Sequence, residues 1–298
     1  MEIGDWKATE GLNEIVRKAR EHGLESNLFE LEAFGFTVVP PYKAAPKEFI
    51  DRLRDAAFRV AENDDQSALD PNAIASPVYG RQLFHLLPED PVFAEAMMNP
   101  FTLTFGRYML GMSCRLYTTV IFFKNGKVGC TNLHCDSTGM PPPLPRYGNV
   151  CNVSWVLTDY TVETGTLYIV PGSHRHCRHP TTLEQPAFMG GPAPNDLGTP
   201  VLAEPGSMIV FHGNTWHGSL PKTDPGPRVA VSFGFCRNYV NPAETYDDAP
   251  EVIDRMIERF GREAAALLER ESWQRYGKQG PKFEHMAKVL PANWNQHA

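Results

Sequence analysis

One uninterrupted block of short extended segments, from about residue 113 to 238 of the 298-residue chain, constrains the fold more than any other feature. The run 114–123 is rich in β-branched and aromatic residues and reads as a long strand. Further strands are expected at 149–157, 166–170, 200–202, 207–212 and 228–237, separated by Gly and Pro. Asn125-Gly126 is a hairpin signal, because both residues tolerate the positive φ of a tight turn. Strands in one run, with no helices alternating between them, favour a sandwich or barrel over a parallel sheet. The expected fold is α+β with a mainly β core, a double-stranded β-helix or cupin-like jelly roll.

Helical patterns lie on both sides of this block. Leu12, Ile15, Val16 and Ala19 recur at helical spacing and Gly23 marks a stop; a second short helix is expected at 26–33 and a strand at 35–40. Helices are also expected at 45–62 and at 91–110, the latter split in two by Pro100. Val252, Ile253, Met256, Ile257, Phe260, Ala264 and Leu267 give one amphipathic helix over 249–271. The expected organisation is a single domain over residues 1–298, with an N-terminal helical region over residues 1–112, a jelly-roll core over 113–240 and a helical extension over 245–298. The terminal helices are expected to cover the core, or alternatively to join two copies as a homodimer.

A net charge of −7 without a basic stripe argues against nucleic acid or an anionic membrane as partner. No window approaches the roughly 18 apolar residues of a membrane span, and the start lacks the pattern of a signal peptide. The six cysteines form no Cys-x-x-Cys pair and suit reduced, packed thiols. These features point to a cytoplasmic protein.

Chemistry enters at His134-Cys135-Asp136. On an extended backbone the imidazole and the carboxylate project to one side, where one metal ion can reach both, and Cys135 points away. Such a pair supplies two ligands of a 2-His-1-carboxylate triad, which leaves coordination positions open on non-haem Fe(II). The third ligand must be a distant histidine; His212 lies at the end of the strand expected at 207–212 and His217 follows it. Asn132 is placed to share the face of His134, with Thr131 as its rival.

Downstream come Glu163-Thr164-Gly165-Thr166, Pro171-Gly172-Ser173-His174-Arg175, Glu204-Pro205-Gly206-Ser207 and Trp216-His217-Gly218, with Arg228 eleven residues beyond His217. Together with His134-x-Asp136, this order closely resembles the phytanoyl-CoA dioxygenase family of Fe(II)/2-oxoglutarate oxygenases over residues 75–240. The resemblance implies Fe(II) held by His134, Asp136 and His217, with 2-oxoglutarate as cosubstrate and O2 as oxidant. His217 is preferred over His212 because the family pattern has an Arg about ten residues after the ligand. Arg228 would take the distal carboxylate of 2-oxoglutarate in a bidentate pair, with Thr166 beside it and Asn132 or Thr131 near the metal. The Pro171–Arg175 turn would shape the site entrance. The carboxylate of Asp136 favours hydroxylation over halogenation, since halogenating relatives replace it by a small residue.

The substrate is expected to be an apolar small molecule or natural product, because no Lys/Arg cluster looks built for the phosphates of coenzyme A. A fatty acyl-CoA hydroxylase, a metal-binding sensor without catalysis and a Zn or Mn isomerase on a cupin barrel are the alternatives. Tyr79 and Arg81, in the segment 76–85, and Met140, beside the 141–147 loop, are expected to line the pocket. The long connection from about 176 to 199 is expected to be a lid or a disordered segment.

Overall fold

The computed structural model describes residues 8–64, 80–191, 197–268 and 277–281. In chain order the elements are α1 (Ala8–Glu21), α2 (Glu25–Phe34), β1 (Phe36–Val39), α3 (Lys47–Asp64), β2 (Arg81–Phe84), α4 (Pro91–Met97), α5 (Pro100–Leu110) and β3 (Arg115–Lys124). They continue with β4 (Thr131–His134), β5 (Val150–Val156), β6 (Leu167–Ile169), β7 (Thr199–Pro200), β8 (Met208–His212), β9 (His217–Ser219), β10 (Arg228–Cys236), α6 (Pro250–Phe260) and α7 (Arg262–Leu267).

The strands form two antiparallel sheets, a major sheet ordered β1-β8-β5-β10-β3-β2 and a minor sheet ordered β4-β9-β6-β7. This is the expected jelly roll. The N-terminal region lends it two strands, β1 beside β8 and β2 beside β3.

Alternation along the strands separates two environments. Val229, Val231, Phe233 and Phe235 of β10, with Val153 and Trp155 of β5, join the large core beneath the helices. Ala230, Val156, Ile209 and Phe211 face the other way, into the barrel. Helices from both ends of the chain share the outer core: Leu53 and Ala57 of α3, Phe105 of α5 and Met256 of α6 lie in one cluster with Trp155. The C-terminal helices therefore cover this chain's own sheet.

Local signals explain the helix boundaries. Asp90 and Asn99 accept hydrogen bonds from the Val92 and Phe101 amides at 2.8 and 2.9 Å, and a proline follows each in the first turn. Each cap contributes about 1 kcal/mol, so Pro100 starts a new helix where the apolar pattern alone would run on. Gly261, at φ 67°, breaks the pattern expected to be one helix into α6 and α7.

The hairpin expected at Asn125-Gly126 does not form. β3 belongs to the major sheet and β4 to the minor one, so the segment between them crosses from one sheet to the other. Among the described residues, no helix is long and apolar enough to cross a membrane. All six cysteines are free thiols.

Candidate active site

His134 ends β4 and His217 begins β9, and the two residues are directly paired in the minor sheet. Asp136 follows β4, where its amide donates to the Gly213 carbonyl at 2.7 Å. Asp136 Oδ1 lies 3.8 Å from His134 Nε2 and 3.6 Å from His217 Nε2, and one donor atom from each residue falls within 4.8 Å of the others. His134 Nδ1 donates to the Asn132 carbonyl at 2.8 Å and His217 Nδ1 to the Thr215 carbonyl at 2.9 Å. Those bonds fix the tautomer and leave both Nε2 lone pairs facing the carboxylate. Burial, reinforced by the nearby His134, pushes the His217 pKa below the usual range against the pull of Asp136, which keeps the ring neutral.

Asn152 of β5 donates to Asp136 Oδ2 at 2.6 Å and so leaves Oδ1 to the histidines. Three N and O donors on one side, with their other polar atoms satisfied, fit a divalent ion with open positions towards the barrel.

The period-two expectation for Asn132 fails at a bulge. Thr131 pairs with Ser219 and His134 with His217, so three steps on β4 match two on β9. Thr131, not Asn132, therefore shares the inward face. Asn132 contributes its carbonyl to His134, and its side chain is exposed.

Across the barrel, Arg228 of β10 is paired with Lys124 of β3. Arg228 is 5% exposed and lies against the Tyr160 ring, with its guanidinium carbon 4.6 Å from the centroid. Its Nε has no hydrogen-bond partner among the described residues. Lys124, 2% exposed, donates to Ser219 Oγ at 2.7 Å, and Ser219 donates to Thr131 Oγ1 at 3.0 Å. Burial, with the Arg228 charge added to it, pushes the Lys124 pKa down to about 6.

A guanidinium and an amine that a bound anion can protonate thus face inward side by side, an arrangement suited to a carboxylate. Lys124 and Ser219 are absent from the residues expected from sequence. Their signals are faint: a lysine ending an apolar strand, and a serine two residues after His217 on the same face. Thr166 is fully buried, and its hydroxyl proton goes to the Val201 carbonyl rather than to a ligand.

Other expectations fare differently. His212 faces the outer side of β8 and is not part of the triad, the one group of three or more metal-ligating side chains found among the described residues. Arg81 is paired with Phe123, whose ring meets Phe58 of α3; its guanidinium bonds the Ala61 carbonyl and Asp64 at the end of that helix, so it faces away from the barrel. Tyr79 lies outside the described residues. Met140 is partly exposed on the loop after Asp136, its sulfur accepting from Asn149 Nδ2 at 3.1 Å. The Pro171–Arg175 turn is not at the entrance: Gly172 N–H bonds the Phe34 carbonyl and the His174 ring meets His212.

The connection after His176 is strapped down where it is described. Both amide atoms of Gln185 bond the Leu133 backbone at 2.9 Å, and Phe188 packs edge-on against Tyr168. Cys135 points to the far side of β4, with its sulfur 3.2 Å from His179 Nδ1.

The family model for phytanoyl-CoA dioxygenase matches residues 31–230, two thirds of the chain and the whole of this site. The chain belongs to the phytanoyl-CoA dioxygenase family. Among curated members, dioxygenase af480 of Aspergillus fumigatus is 28% identical over 218 residues, covering 71% of this family member and 66% of that protein. The chain thus spans a little under two thirds of that relative, and 33% of two uncharacterised mycobacterial proteins. Among solved structures, HygX of Streptomyces hygroscopicus with nickel and 2-oxoglutarate bound superimposes with a TM-score of 0.59 at 18% identity, over 75% of this chain and 90% of that one. EctD of S. alaskensis with 2-oxoglutarate and 5-hydroxyectoine gives 0.56 at 21% identity, over 77% and 80%. The fold is shared with both.

Proposed function

We propose that this family member is an Fe(II)- and 2-oxoglutarate-dependent dioxygenase that oxidises an unactivated C–H bond of an apolar small molecule or natural product. The observation that carries the reading is the pairing of two groups across one barrel: a triad with three inward donors, and a buried Arg228–Lys124 pair with an unpartnered guanidinium nitrogen. A structural ion site would not need the second group.

His134, Asp136 and His217 would hold the metal. Arg228, Lys124 and Ser219 would hold the distal carboxylate of 2-oxoglutarate, with the fixed guanidinium giving the bond its direction. When bound, iron, cosubstrate and O2 supply oxidative decarboxylation of 2-oxoglutarate to succinate coupled to oxidation of the substrate. Asn152 orients Asp136, the Thr215 and Asn132 carbonyls orient the rings, and Phe211, its ring centroid 4.6 Å from that of His217, excludes water from one side.

The substrate would lie against the inner face of β3 and β10, where Val120, Phe122 and Gly234 alternate with the outward core residues. Val120, Phe122 and Ala230 give that wall apolar surface beside Ser232 and Thr118, which supports the substrate class, and relatives whose names mark them as dioxygenases support the reaction. The shared outer core supports a chain that works as one domain, and the six free thiols support a cytoplasmic setting.

The test is anaerobic titration of metal-free protein with Fe(II) and then 2-oxoglutarate, with Asp136→Ala as control. A weak visible charge-transfer band that needs both additions and is missing in the control is expected. Folded, iron-loaded protein without the band would remove the oxygenase reading.

A further inference from the structure

A second cavity, of about 450 Å³, lies on the outer side of β8, behind the triad, between the 146–148 loop, α5 and the 174–175 turn. Phe211 and His212 are adjacent on β8 and face opposite sides: Phe211 meets His217 in the barrel, and His212 meets His174 in this cavity. Nothing in the proposed chemistry uses it.

Its lining favours an anion on a flat body. Arg146 and Arg175 stand at the rim, and neither has a carboxylate within salt-bridge distance among the described residues. A third guanidinium, Arg237, is 4% exposed behind the rim, stacked 4.4 Å from the Tyr147 ring centroid, and its Nη2 has no hydrogen-bond partner among the described residues. The carboxylate of the cavity, Glu32, accepts the Tyr108 hydroxyl at 3.0 Å and keeps its charge, and the Arg175 guanidinium donates to the Glu32 carbonyl, so the two rim guanidiniums outnumber one carboxylate. His212 Nδ1 accepts the Asn214 amide at 2.9 Å, which ties the ring to the 213–215 turn with its Nε2 near Gly148. The Tyr108 and Tyr147 rings and the Met109 side chain supply apolar surface.

The floor of the cavity is joined to the metal ligands. His212 leads into Gly213, whose carbonyl holds the Asp136 amide, and on to Thr215, whose carbonyl holds His217 Nδ1. Asn214 bonds Ser137 and the Pro145 carbonyl, so the loop bearing Arg146 and Tyr147 is tied to the same turn. A group bound between His212 and Arg146 would press on the segments that aim two of the three donors.

We propose that this cavity is a second ligand site, for a small molecule bearing a carboxylate or a phosphate on an aromatic or similarly flat body, and that its occupancy is felt at His217. Reciprocity follows: whatever binds there and changes the metal site must itself be bound differently when the metal site changes.

The probes are benzoate and phenyl phosphate, titrated into metal-free protein with isotope-labelled histidine and followed by the imidazole NMR signals. A saturable shift of the His212 signals is expected, with the His217 signals moving at the same midpoint. The probe that binds tighter says whether the carboxylate or the phosphate is recognised. Arg146→Glu, at an exposed position, is expected to weaken binding about tenfold, the worth of one charge-assisted hydrogen bond, whereas Arg59→Glu on α3 should leave it unchanged. Shifts confined to His134 and His217 and abolished by Arg228→Ala would mean that the probes enter only the cosubstrate pocket, and would overturn the proposal. So would the absence of a saturable His212 shift with both probes, or equal binding by the Arg146 variant. A His212 shift without one at His217 would overturn the coupling.

Discussion

Asn152 holds one oxygen of the Asp136 carboxylate at 2.6 Å and leaves the other facing His134 and His217. Partners of this kind, one step out from a metal, are typically worth about 10–100-fold in affinity. Asn152→Ala is expected to weaken Fe(II) binding by about that factor while the circular dichroism stays unchanged. Asn152→Asp should be worse, because it sets a second carboxylate against the first. Equilibrium titration with Fe(II) or Mn(II) under anaerobic conditions measures both.

Lys124 supplies a pH dependence. Its pKa near 6 means that above this pH the free protein holds a neutral amine beside Arg228. A bound carboxylate favours the ammonium, so binding 2-oxoglutarate takes up a proton, and affinity should fall as pH rises from about 6. Stability moves the other way: the unfolded lysine stays protonated to about 10.4, so burying the group costs most at low pH and the cost fades between about 6 and 10.4. Lys124→Met should bind 2-oxoglutarate more weakly and with a flat profile. Calorimetry in buffers of different ionisation enthalpy detects the proton directly.

Gly234 lets neighbouring side chains close over the inner face of β10. A Cβ placed there would meet Thr118 Cγ2 at 3.0 Å, Tyr117 Cδ1 at 3.4 Å and Asn152 Oδ1 at 3.5 Å. Gly234→Val should keep the iron–cosubstrate band and the slow substrate-free release of succinate, yet lose stimulation by any substrate that stimulates the native protein. Succinate formation across a panel of small apolar compounds separates the two.

Trp216 joins the strap to the metal-bearing turn. Its Nε1 donates to the Arg178 carbonyl at 2.9 Å and the Arg178 guanidinium covers its ring at 4.6 Å, while Arg178 pairs with Glu184. Trp216→Ala is expected to cost about 3–5 kcal/mol, as for other buried aromatics, and to open residues 178–191 to limited proteolysis. Trp216→Phe, which loses the hydrogen bond and keeps most of the packing, should fall between. Urea unfolding and a protease time course provide the two readings.

Much of the fold is legible in the chain because strong periodicity survives tertiary context. α3 and β3 carry patterns of 18 and 10 residues, long enough to fix their type. β4 and β9 are four and three residues long, too short to show a period, and they carry two of the three proposed ligands. His134, Asp136 and His217 emerge through chemistry and family order instead.

Where alternation misleads, the cause is a sheet-level event invisible in one strand. The bulge on β4 exchanges the roles of Asn132 and Thr131, and the crossing between sheets replaces the hairpin after Lys124. Lys124 itself looks like the polar end of a strand. Its partner in register, Arg228, lies 104 positions further on, and only the pairing of β3 with β10 brings the amine and the guanidinium together.

The proposed metal ligands His134 and His217 belong to the minor sheet, whereas Arg228 and Lys124 belong to the major one. A cosubstrate reaching from one set to the other is therefore a rivet between the halves of the barrel. Its arrival would tighten the whole molecule, with slower amide exchange in both sheets at once. The loops outside the turns that carry Asp136 and Thr215 would remain free to drift in sequence, because no other portion of that clamp is built from loops.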